Sequence, residues 1–353
     1  MKAKNLLNQF ILIMVTLSLC ACDTTVDRQS VDSLISEPKV REERPDSDEI
    51  VTDDNEAPLP VSTPQSQVSL PPIEPLDIEG DLIAAGSAAV FPLTQTIYQM
   101  FVKDGYAGTL KLDALGTTEG FKLFCEEGKS DIVNASRQIR NEELAACQAN
   151  GRQPVSFRVG TDALVVVLSS KNDFVDDISL ADFAQLFSAE LWSDLNPAYP
   201  REPIERFVPG LESATLDFLG EILYDGEIEP ILESSNTQLV NTSESLLGGV
   251  NRNQYAIAVV DYTTYLQSSG DFEVLSVEGV EANADTIEKN QYPLSRPLLI
   301  YSDAQIIRNK PQVFAFINYY LTYIYKGIAE VGYLPVSVET LDQEKTEFLE
   351  LIN

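Results

Sequence analysis

The sequence of 353 residues contains no histidine and only one tryptophan. Without histidine, neither a Ser-His-Asp nor a Cys-His catalytic arrangement can form, and the commonest ligand of zinc and iron is missing. No GxGxxG fingerprint or P-loop occurs, and acidic residues are too numerous for spacing to single out a catalytic pair. The sequence therefore predicts a protein that is not an enzyme and that holds no metal and no cofactor.

Basic residues are scarce as well. The chain has 24 lysines and arginines against 55 aspartates and glutamates, a formal net charge of -31. Nucleic-acid binding requires a basic surface, so this class of partner is excluded. An electrostatic attraction to anionic lipid is disfavoured for the same reason. Solubility and self-repulsion account for most of the acidity.

The first residues have the pattern of a secretory signal. Two lysines precede an apolar run, residues 10–19, that is too short for a comfortable membrane span. The run ends in "LSLCAC", where Cys22 follows Ala21 and stands three positions after Leu19. This arrangement resembles the lipobox of bacterial lipoproteins. We predict a signal peptide at residues 1–21 and a lipid attached to Cys22.

After removal of the signal, Cys125 and Cys147 are the two cysteines left besides the lipidated one. In an oxidising compartment two such thiols are expected to form a disulfide. The alternative is that both remain free and buried.

Residues 22–79 have the composition of a tether. They are acidic, rich in proline and almost without aromatic residues. Such a segment cannot bury enough apolar surface to fold, so we predict a disordered linker behind the lipidated cysteine. A flexible chain of this length spans on the order of 40 Å.

Beyond the linker, strand-like and helix-like segments alternate. "GTLKLDAL" is followed by "EGFKLFCEEG", and "DALVVVLSS" is followed by "SLADFAQLFSAELW". This alternation predicts an α/β fold with a mostly parallel sheet.

One kind of segment occurs three times: small and hydroxyl residues that lead into an amphipathic helix. The three copies are "AAGSAAVFPLTQTIYQMF", "LGTTEGFKLFC" and "PGLESATLDFLGEIL". A helix start presents about four unpaired amides and roughly half a positive charge, so it attracts an anion. Each copy alone is explained as an ordinary N-cap. Three converging copies predict a site for a small oxyanion such as phosphate.

Several further segments, in order, carry a family resemblance over residues 81–338. They are "GSAAVFPLT", "GTTEGFKLFCEEGKSDIVNASRQI", "VGTDALVVVL", "LWSDLNPAYP", "PGLESATLDF", "YPLSRPLLIYS" and "VGYLPVS". With them the sequence resembles the substrate-binding lipoprotein of the bacterial ABC-type phosphate importer.

The resemblance implies a type II periplasmic-binding-protein-like fold, in which two α/β lobes are joined by two hinge strands and enclose the ligand in a cleft. The crossings are expected near residues 159–163 and 293–298. Lobe 1 would comprise residues 80–160 plus 297–353, and lobe 2 residues 161–296. The protein would be a monomer whose partner is the permease of the transporter.

The resemblance also implies a set of ligand-binding residues in four loops. Arg137 would be the only full positive charge among them, or it would form a salt bridge instead. The set is Ser87, Ala88, Ala89, Val90, Thr117, Ser136, Arg137, Ser213, Ala214 and Thr215.

Two departures from the family pattern concern this set. The family usually has Gly-Ser-Ser-Thr at residues 86–89 and Ser-Gly-Thr at 213–215, so two hydroxyl donors are missing and Ala214 adds bulk. Loss of two hydrogen bonds would weaken binding about tenfold to a hundredfold unless amides or water compensate. Glu119 and Glu212 would either accept the proton of a bound phosphate or point into solvent.

The function that follows is an extracytoplasmic, lipid-anchored protein that captures inorganic phosphate and delivers it to an ABC transporter. Its place would be the periplasm or the outer face of the cell membrane. Two alternatives stay open: a receptor for another oxyanion or an organic phosphate, and a surface sensor or adhesin whose cleft is vestigial.

Overall fold

The computed structural model describes residues 66–211 and 213–352. The predicted signal peptide, Cys22, most of the predicted linker and Glu212 lie outside the described residues. The strands are β1 Leu82–Gly86, β2 Leu110–Ala114, β3 Ile132–Ala135, β4 Pro154–Ser169, β5 Asp177–Ile178, β6 Glu205–Pro209, β7 Thr237–Val240, β8 Ala256–Asp261, β9 Phe272–Val274, β10 Ser276–Val277 and β11 Ser295–Asp303.

Helices connect these strands, as the alternating pattern predicts. They are α1 Phe91–Lys103, α2 Thr117–Phe121, α3 Asn141–Ala149, α4 Leu180–Leu186, α5 Trp192–Leu195, α6 Ala214–Tyr224, α7 Glu229–Leu232, α8 Ser243–Arg252, α9 Tyr262–Gln267, α10 Ala284–Glu288, α11 Ala304–Asn309, α12 Pro311–Val331 and α13 Val338–Ile352. A 3-10 turn at Pro75–Asp77 precedes β1, and a π-helical turn at Lys122–Glu126 continues α2.

One nine-stranded sheet runs through the molecule in the order β2-β1-β3-β11-β4-β8-β6-β7, with β9 paired to the end of β4. β1 pairs in parallel with β2 and β3, and β6 pairs in parallel with β7 and β8. β11 is antiparallel to both β3 and β4. The α/β prediction is confirmed, with two parallel groups separated by two antiparallel strands.

The directions of the strands decide where loops meet. β4 runs in the same sense as β1, β2 and β3, because both β4 and β3 are antiparallel to β11. β8 is antiparallel to β4, so β6, β7 and β8 run the opposite way. The carboxyl ends of the two parallel groups therefore face each other along β4. Ala135 ends β3 level with Arg158, whereas Asp261 ends β8 level with Leu164.

The hydrophobic core is divided at the same part of β4. One core takes buried residues from Ala163 to Leu294. Two others take residues up to Val159 and from Leu298 onward. We call the part built on the first core lobe 2 and the part built on the other cores lobe 1. This division supports the predicted lobes, whose bounds stay predictions.

The end of the predicted linker belongs to the folded part. Leu70, Ile73 and Ile78 pack against the core of lobe 1. The Ser66 hydroxyl donates to Asp342 Oδ1 at 2.6 Å. These apolar side chains find a partner surface on the C-terminal helices, so residues 66–79 are folded onto lobe 1 and differ from the predicted disorder.

A disulfide joins Cys125 and Cys147, as the sequence predicts. It ties the π-helical turn to α3 within lobe 1. In the part of the chain that the structure describes, no helix has the length and apolar character needed to cross a membrane.

Candidate functional site

The first loop of the site begins with a turn that only glycine accommodates. Gly86 ends β1 with φ of +139°, and a Cβ there would lie 2.0 Å from the carbonyl oxygen of Asn134. The Gly86 carbonyl accepts hydrogen bonds from the amides of Leu115 and Gly116, both at 2.9 Å. Gly86 thus brings the loop after β2 against the loop after β1.

Ser87 continues this loop beside the end of β3. Its amide donates to the carbonyl of Asn134 at 2.8 Å, and its Oγ accepts the Ala89 amide at 3.2 Å. Ala89 and Val90 are buried, and their amides donate to the Ser87 hydroxyl and the Ser87 carbonyl, so neither amide is available to a ligand. Ala88 is exposed, and its amide donates to no protein atom within the described residues.

Thr117 and Ser136 lie together at the ends of β2 and β3. Their hydroxyl oxygens are 3.2 Å apart, and the Ser136 amide donates to Thr117 Oγ1 at 3.2 Å. The predicted residues of lobe 1, which belong to three separate loops, therefore sit at the carboxyl ends of three adjacent parallel strands. Such an edge is the usual ligand position in open α/β sheets.

Arg137 lies in the same region, but its charge is already compensated. Its Nη1 donates to Glu143 Oε2 at 2.9 Å and its Nη2 to Glu143 Oε1 at 2.7 Å. Nη2 also donates to the Thr118 hydroxyl at 2.9 Å. Burial works against ionisation of Glu143, yet the bonds from Arg137 and the Arg140 amide lower the pKa of Glu143 overall. Arg137 therefore forms the salt bridge that the sequence left open as its alternative role.

In lobe 2 a cavity of about 300 Å³ opens where β6 and β8 end. Two of the predicted residues, Ser213 and Thr215, line this cavity. The other polar residues of the lining, which the sequence did not single out, are Asn241, Thr242, Asp261 and Thr264.

Ser213 and Thr215 form the start of α6 at this cavity. Ser213 is the N-cap, and its side chain accepts the Thr215 amide at 3.2 Å. The Thr215 hydroxyl donates to Asp261 Oδ1 at 2.7 Å. The Ala214 amide donates to no protein atom in the described part of the chain. Ser87 and Ser213 thus organise their loops alike, each holding the amide two positions ahead and leaving the intervening one available.

Asp261 is unexpected beside a predicted anion site. Burial raises the pKa of its carboxyl, and the negative charge of Asp162 raises it further. The Thr215 hydrogen bond and the guanidinium of Arg296 oppose this shift. A carboxylate placed here opposes any ligand that carries negative charge without a proton.

Arg296 is a second arginine near the cavity, and it is buried and paired. Its Nη2 lies 2.9 Å from Asp162 Oδ2, and its Nη1 lies 2.7 Å from Glu221 Oε2. Its guanidinium stacks over the Phe218 ring at 3.7 Å from the centroid. The pairing connects β4 and β11 to α6 of lobe 2.

A larger cavity, of about 440 Å³, is lined by α8, α9 and the segment before β9. It contains none of the predicted residues. The smaller cavity is the candidate ligand site, because that one lies at the ends of parallel strands and at the start of α6.

The structure places the predicted residues in two groups. Ser87 to Val90, Thr117, Ser136 and Arg137 lie on lobe 1, and Ser213 to Thr215 lie on lobe 2. The side chain of Glu119 is 43% exposed and pairs with Lys122 Nζ at 3.2 Å, so it faces solvent. Sequence reasoning missed Asp261, whose signal is a polar residue directly after the buried run "AIAVV".

The comparisons with known proteins agree with this geometry. A family model described as a PBP superfamily domain matches residues 61–322. The chain belongs to the PBP superfamily. This match confirms the predicted resemblance and the type II fold. The relatives of this chain are binding and transport receptors.

Individual relatives of this chain have more specific names than the superfamily. Protein SphX of Synechocystis sp. is 30% identical over 274 residues, covering 74% of this chain and 80% of that protein. The phosphate-binding protein PstS of Staphylococcus saprophyticus is 26% identical and covers 78% of this chain and 86% of its own length. A possible phosphate binding protein from Planctomyces limnophilus has a TM-score of 0.72 at 27% identity, over 78% of this chain and 100% of that one.

Proposed function

We propose that this protein captures inorganic phosphate between its two lobes and delivers it to the permease of an ABC importer. One observation carries the proposal: the hydroxyl-bearing loops of both lobes stand at strand ends that face each other along β4. The ends of β3 and β8 are level with Arg158 and Leu164, which corresponds to a separation of about 20 Å at 3.3 Å per residue. An anion in this gap is approached from both lobes.

Closure of the lobes follows from the division of the donors. Ser87, Thr117 and Ser136 approach the anion from lobe 1, whereas Ser213 and Thr215 approach it from lobe 2. Only a closed form satisfies all oxygens of the ligand, so phosphate stabilises that form. The permease would recognise the closed protein, which itself catalyses nothing.

Neutral donors hold the ligand in this scheme. Arg137 and Arg296 both have carboxylate partners, so neither offers an uncompensated charge. The starts of α1 and α6 supply the positive end of the helix dipole. The available amides of Ala88 and Ala214 stand in for the hydroxyls that the family pattern would provide here.

Names of the relatives support inorganic phosphate as the ligand. PstS of Staphylococcus saprophyticus is a phosphate-binding protein by name. Another oxyanion or an organic phosphate is therefore the less favoured alternative. We further propose that the protein is extracytoplasmic and is anchored by a lipid on Cys22, with the segment before Ser66 as its tether.

Calorimetric titration of ligand-free protein with phosphate, sulfate and molybdate tests the ligand. We expect saturation by phosphate, and Thr117→Val should weaken it about tenfold, because one neutral hydrogen bond and its bridge to Ser136 are lost. Thr109→Val is the matched control, since Thr109 bonds Asp81 at the opposite end of β2 and should leave the affinity unchanged. Absence of phosphate saturation at millimolar concentration would refute the proposal.

Small-angle scattering distinguishes a transport receptor from a sensor or adhesin with a vestigial cleft. Phosphate should reduce the radius of gyration of the receptor as the lobes close. A radius that stays constant at saturating phosphate would contradict the closure mechanism.

A further inference from the structure

The segment between α12 and α13 joins two helices of lobe 1, yet it contacts both lobes. Tyr333 and Val336 pack against the core of lobe 1. Leu334, between them, packs against the core of lobe 2. The Thr263 hydroxyl, at the start of α9 in lobe 2, donates to the Gly332 carbonyl at 2.5 Å. The segment is therefore a contact between the lobes in addition to the strands β4 and β11.

Leu334 is also bonded to β4 at the place where the hydrophobic core changes from one lobe to the other. Its amide donates to the Thr161 carbonyl at 3.0 Å, and its carbonyl accepts the Thr161 amide at 3.0 Å. On β4, Val159 belongs to the core of lobe 1 and Ala163 to the core of lobe 2. Thr161 stands between them, so the segment meets β4 at the boundary of the two lobes.

Glu288, the last residue of α10 in lobe 2, holds the start of α13 in lobe 1. Its Oε1 accepts the Ser337 amide at 2.9 Å and the Thr340 hydroxyl at 3.0 Å. The Thr340 amide donates in turn to Ser337 Oγ at 3.2 Å. In a capping box, the third helical residue returns a carboxylate or amide side chain to the amide of the N-cap. Here Thr340 occupies that position, and the carboxylate comes from the other lobe.

Charge and packing both indicate that these hydrogen bonds hold α10 in place. Burial works against ionisation of Glu288, yet the bonds from Ser337 and Thr340 and the charge of Arg158 lower the pKa of Glu288 overall. The carboxylate also lies at the positive end of the α13 dipole. A cavity of about 230 Å³ remains between α10 and residues 334–338. Because packing is incomplete there, polar contacts join α10 to lobe 1.

We propose that residues 332–340 and Glu288 form a third connection between the lobes, a clasp that restricts the ligand-free protein to the rotation by which the lobes close on phosphate. Glu288 is a positioning residue in this scheme, because it acts on the ligand only through the arrangement of the lobes. The inference rests on the proposed function and adds the part of the chain that guides closure. Lobes that are already restricted to one path lose less conformational entropy on binding, so the affinity is higher.

Hydrogen exchange on the ligand-free protein tests the clasp without phosphate. In Glu288→Ala, the amides of Thr161 and Leu334 should exchange at least about tenfold faster, although these residues bond each other rather than Glu288. Glu288→Gln should restore wild-type exchange, since an amide oxygen accepts the same two hydrogen bonds. Glu281→Ala is the matched control, because Glu281 is exposed just before α10 and lies outside the clasp. Unchanged exchange in Glu288→Ala would overturn the inference.

Titration with phosphate measures the consequence for the ligand. Glu288→Ala should bind phosphate about tenfold more weakly, whereas Glu288→Gln and Glu281→Ala should match the wild type. Circular dichroism at the titration temperature establishes that each variant is folded. Unchanged affinity in folded Glu288→Ala would overturn the inference and leave the proposed function standing. A wild-type protein that binds no phosphate would refute both.

Thr340→Val approaches the clasp from lobe 1, because it removes one of the two hydrogen bonds to Glu288. It should weaken phosphate binding, and the double variant with Glu288→Ala should bind no more weakly than Glu288→Ala alone. Residues that act through one clasp lose their effect together. A double variant whose loss of affinity equals the product of the two single losses would contradict the inference.

Discussion

Glu344 makes the stability of this protein depend on pH, and the effect can be isolated with one substitution. Glu344 lies on α13, which packs against β4. Its Oε2 is shielded from solvent and has no hydrogen-bond partner among the described residues. Burial raises the pKa of this carboxyl to about 7 from 4.5, with a further rise from Glu347 and opposition from the amide and charge of Arg158.

The sign and size of the effect follow from linkage. The folded pKa lies above the unfolded one, so the contribution to stability is fully present below about pH 4.5 and is lost as pH rises through about 7. A pKa raised from 4.5 to about 7 corresponds to about 3.5 kcal/mol at 1.4 kcal/mol per pH unit. Glu344→Gln stays neutral at every pH. It should therefore gain up to about 3.5 kcal/mol over the wild type at pH 8 and little at pH 4.5.

Urea denaturation at pH 4.5 and pH 8 measures both free energies of unfolding. The single tryptophan, Trp192, is fully buried in lobe 2 and reports the transition by fluorescence. Glu350→Gln is the control, because Glu350 is exposed on the same helix and is not among the groups that shift the pKa of Glu344, so the pH dependence should match that of the wild type. If the difference between Glu344→Gln and wild type were the same at pH 4.5 and pH 8, the reasoning from burial would be refuted.

Two further predictions concern lobe 1. Arg137→Ala should weaken phosphate binding less than about tenfold, because Glu143 already compensates the guanidinium, whereas Glu143→Gln should strengthen binding by releasing the arginine; a loss of about a hundredfold in Arg137→Ala, measured by titration, would contradict the scheme of neutral donors. Reduction of the disulfide between Cys125 and Cys147, which are 22 residues apart, should lower the free energy of unfolding by about 3 kcal/mol, measured by urea denaturation with and without reductant. A Cys125→Ala and Cys147→Ala double variant should be insensitive to reductant, and a wild type equally stable in both conditions would contradict this prediction.

Much of the candidate site was predictable because its signals are local. The Ser87 loop, the start of α6 and the alternation of strands with helices depend on residues a few positions apart. Small and hydroxyl residues before an amphipathic run define a helix start wherever the helix is placed. The disulfide was predictable for another reason, since removal of the predicted secretory signal would leave Cys125 and Cys147 as the remaining pair.

Contacts distant along the chain were not predictable from such signals. Thr215 and Asp261 are 46 residues apart and meet because β6 and β8 are adjacent and parallel. Leu70 and Ile73 look like part of a proline-rich tether until the C-terminal helices offer them a surface. In each case the position of a residue depends on contact with a segment that is distant along the chain. No pattern within the residue's own segment identifies that contact.

The sequence by itself determined the α/β class, the helix starts and the absence of histidine chemistry, because these depend on residue types and short-range order. Tertiary structure alone decided that Arg137 is paired with Glu143 and that Asp261 lies in the wall of the cavity where β6 and β8 end. Charge and hydrogen bonding depend on distances of a few ångströms between elements. Those distances are set by the order and direction of the strands in the sheet.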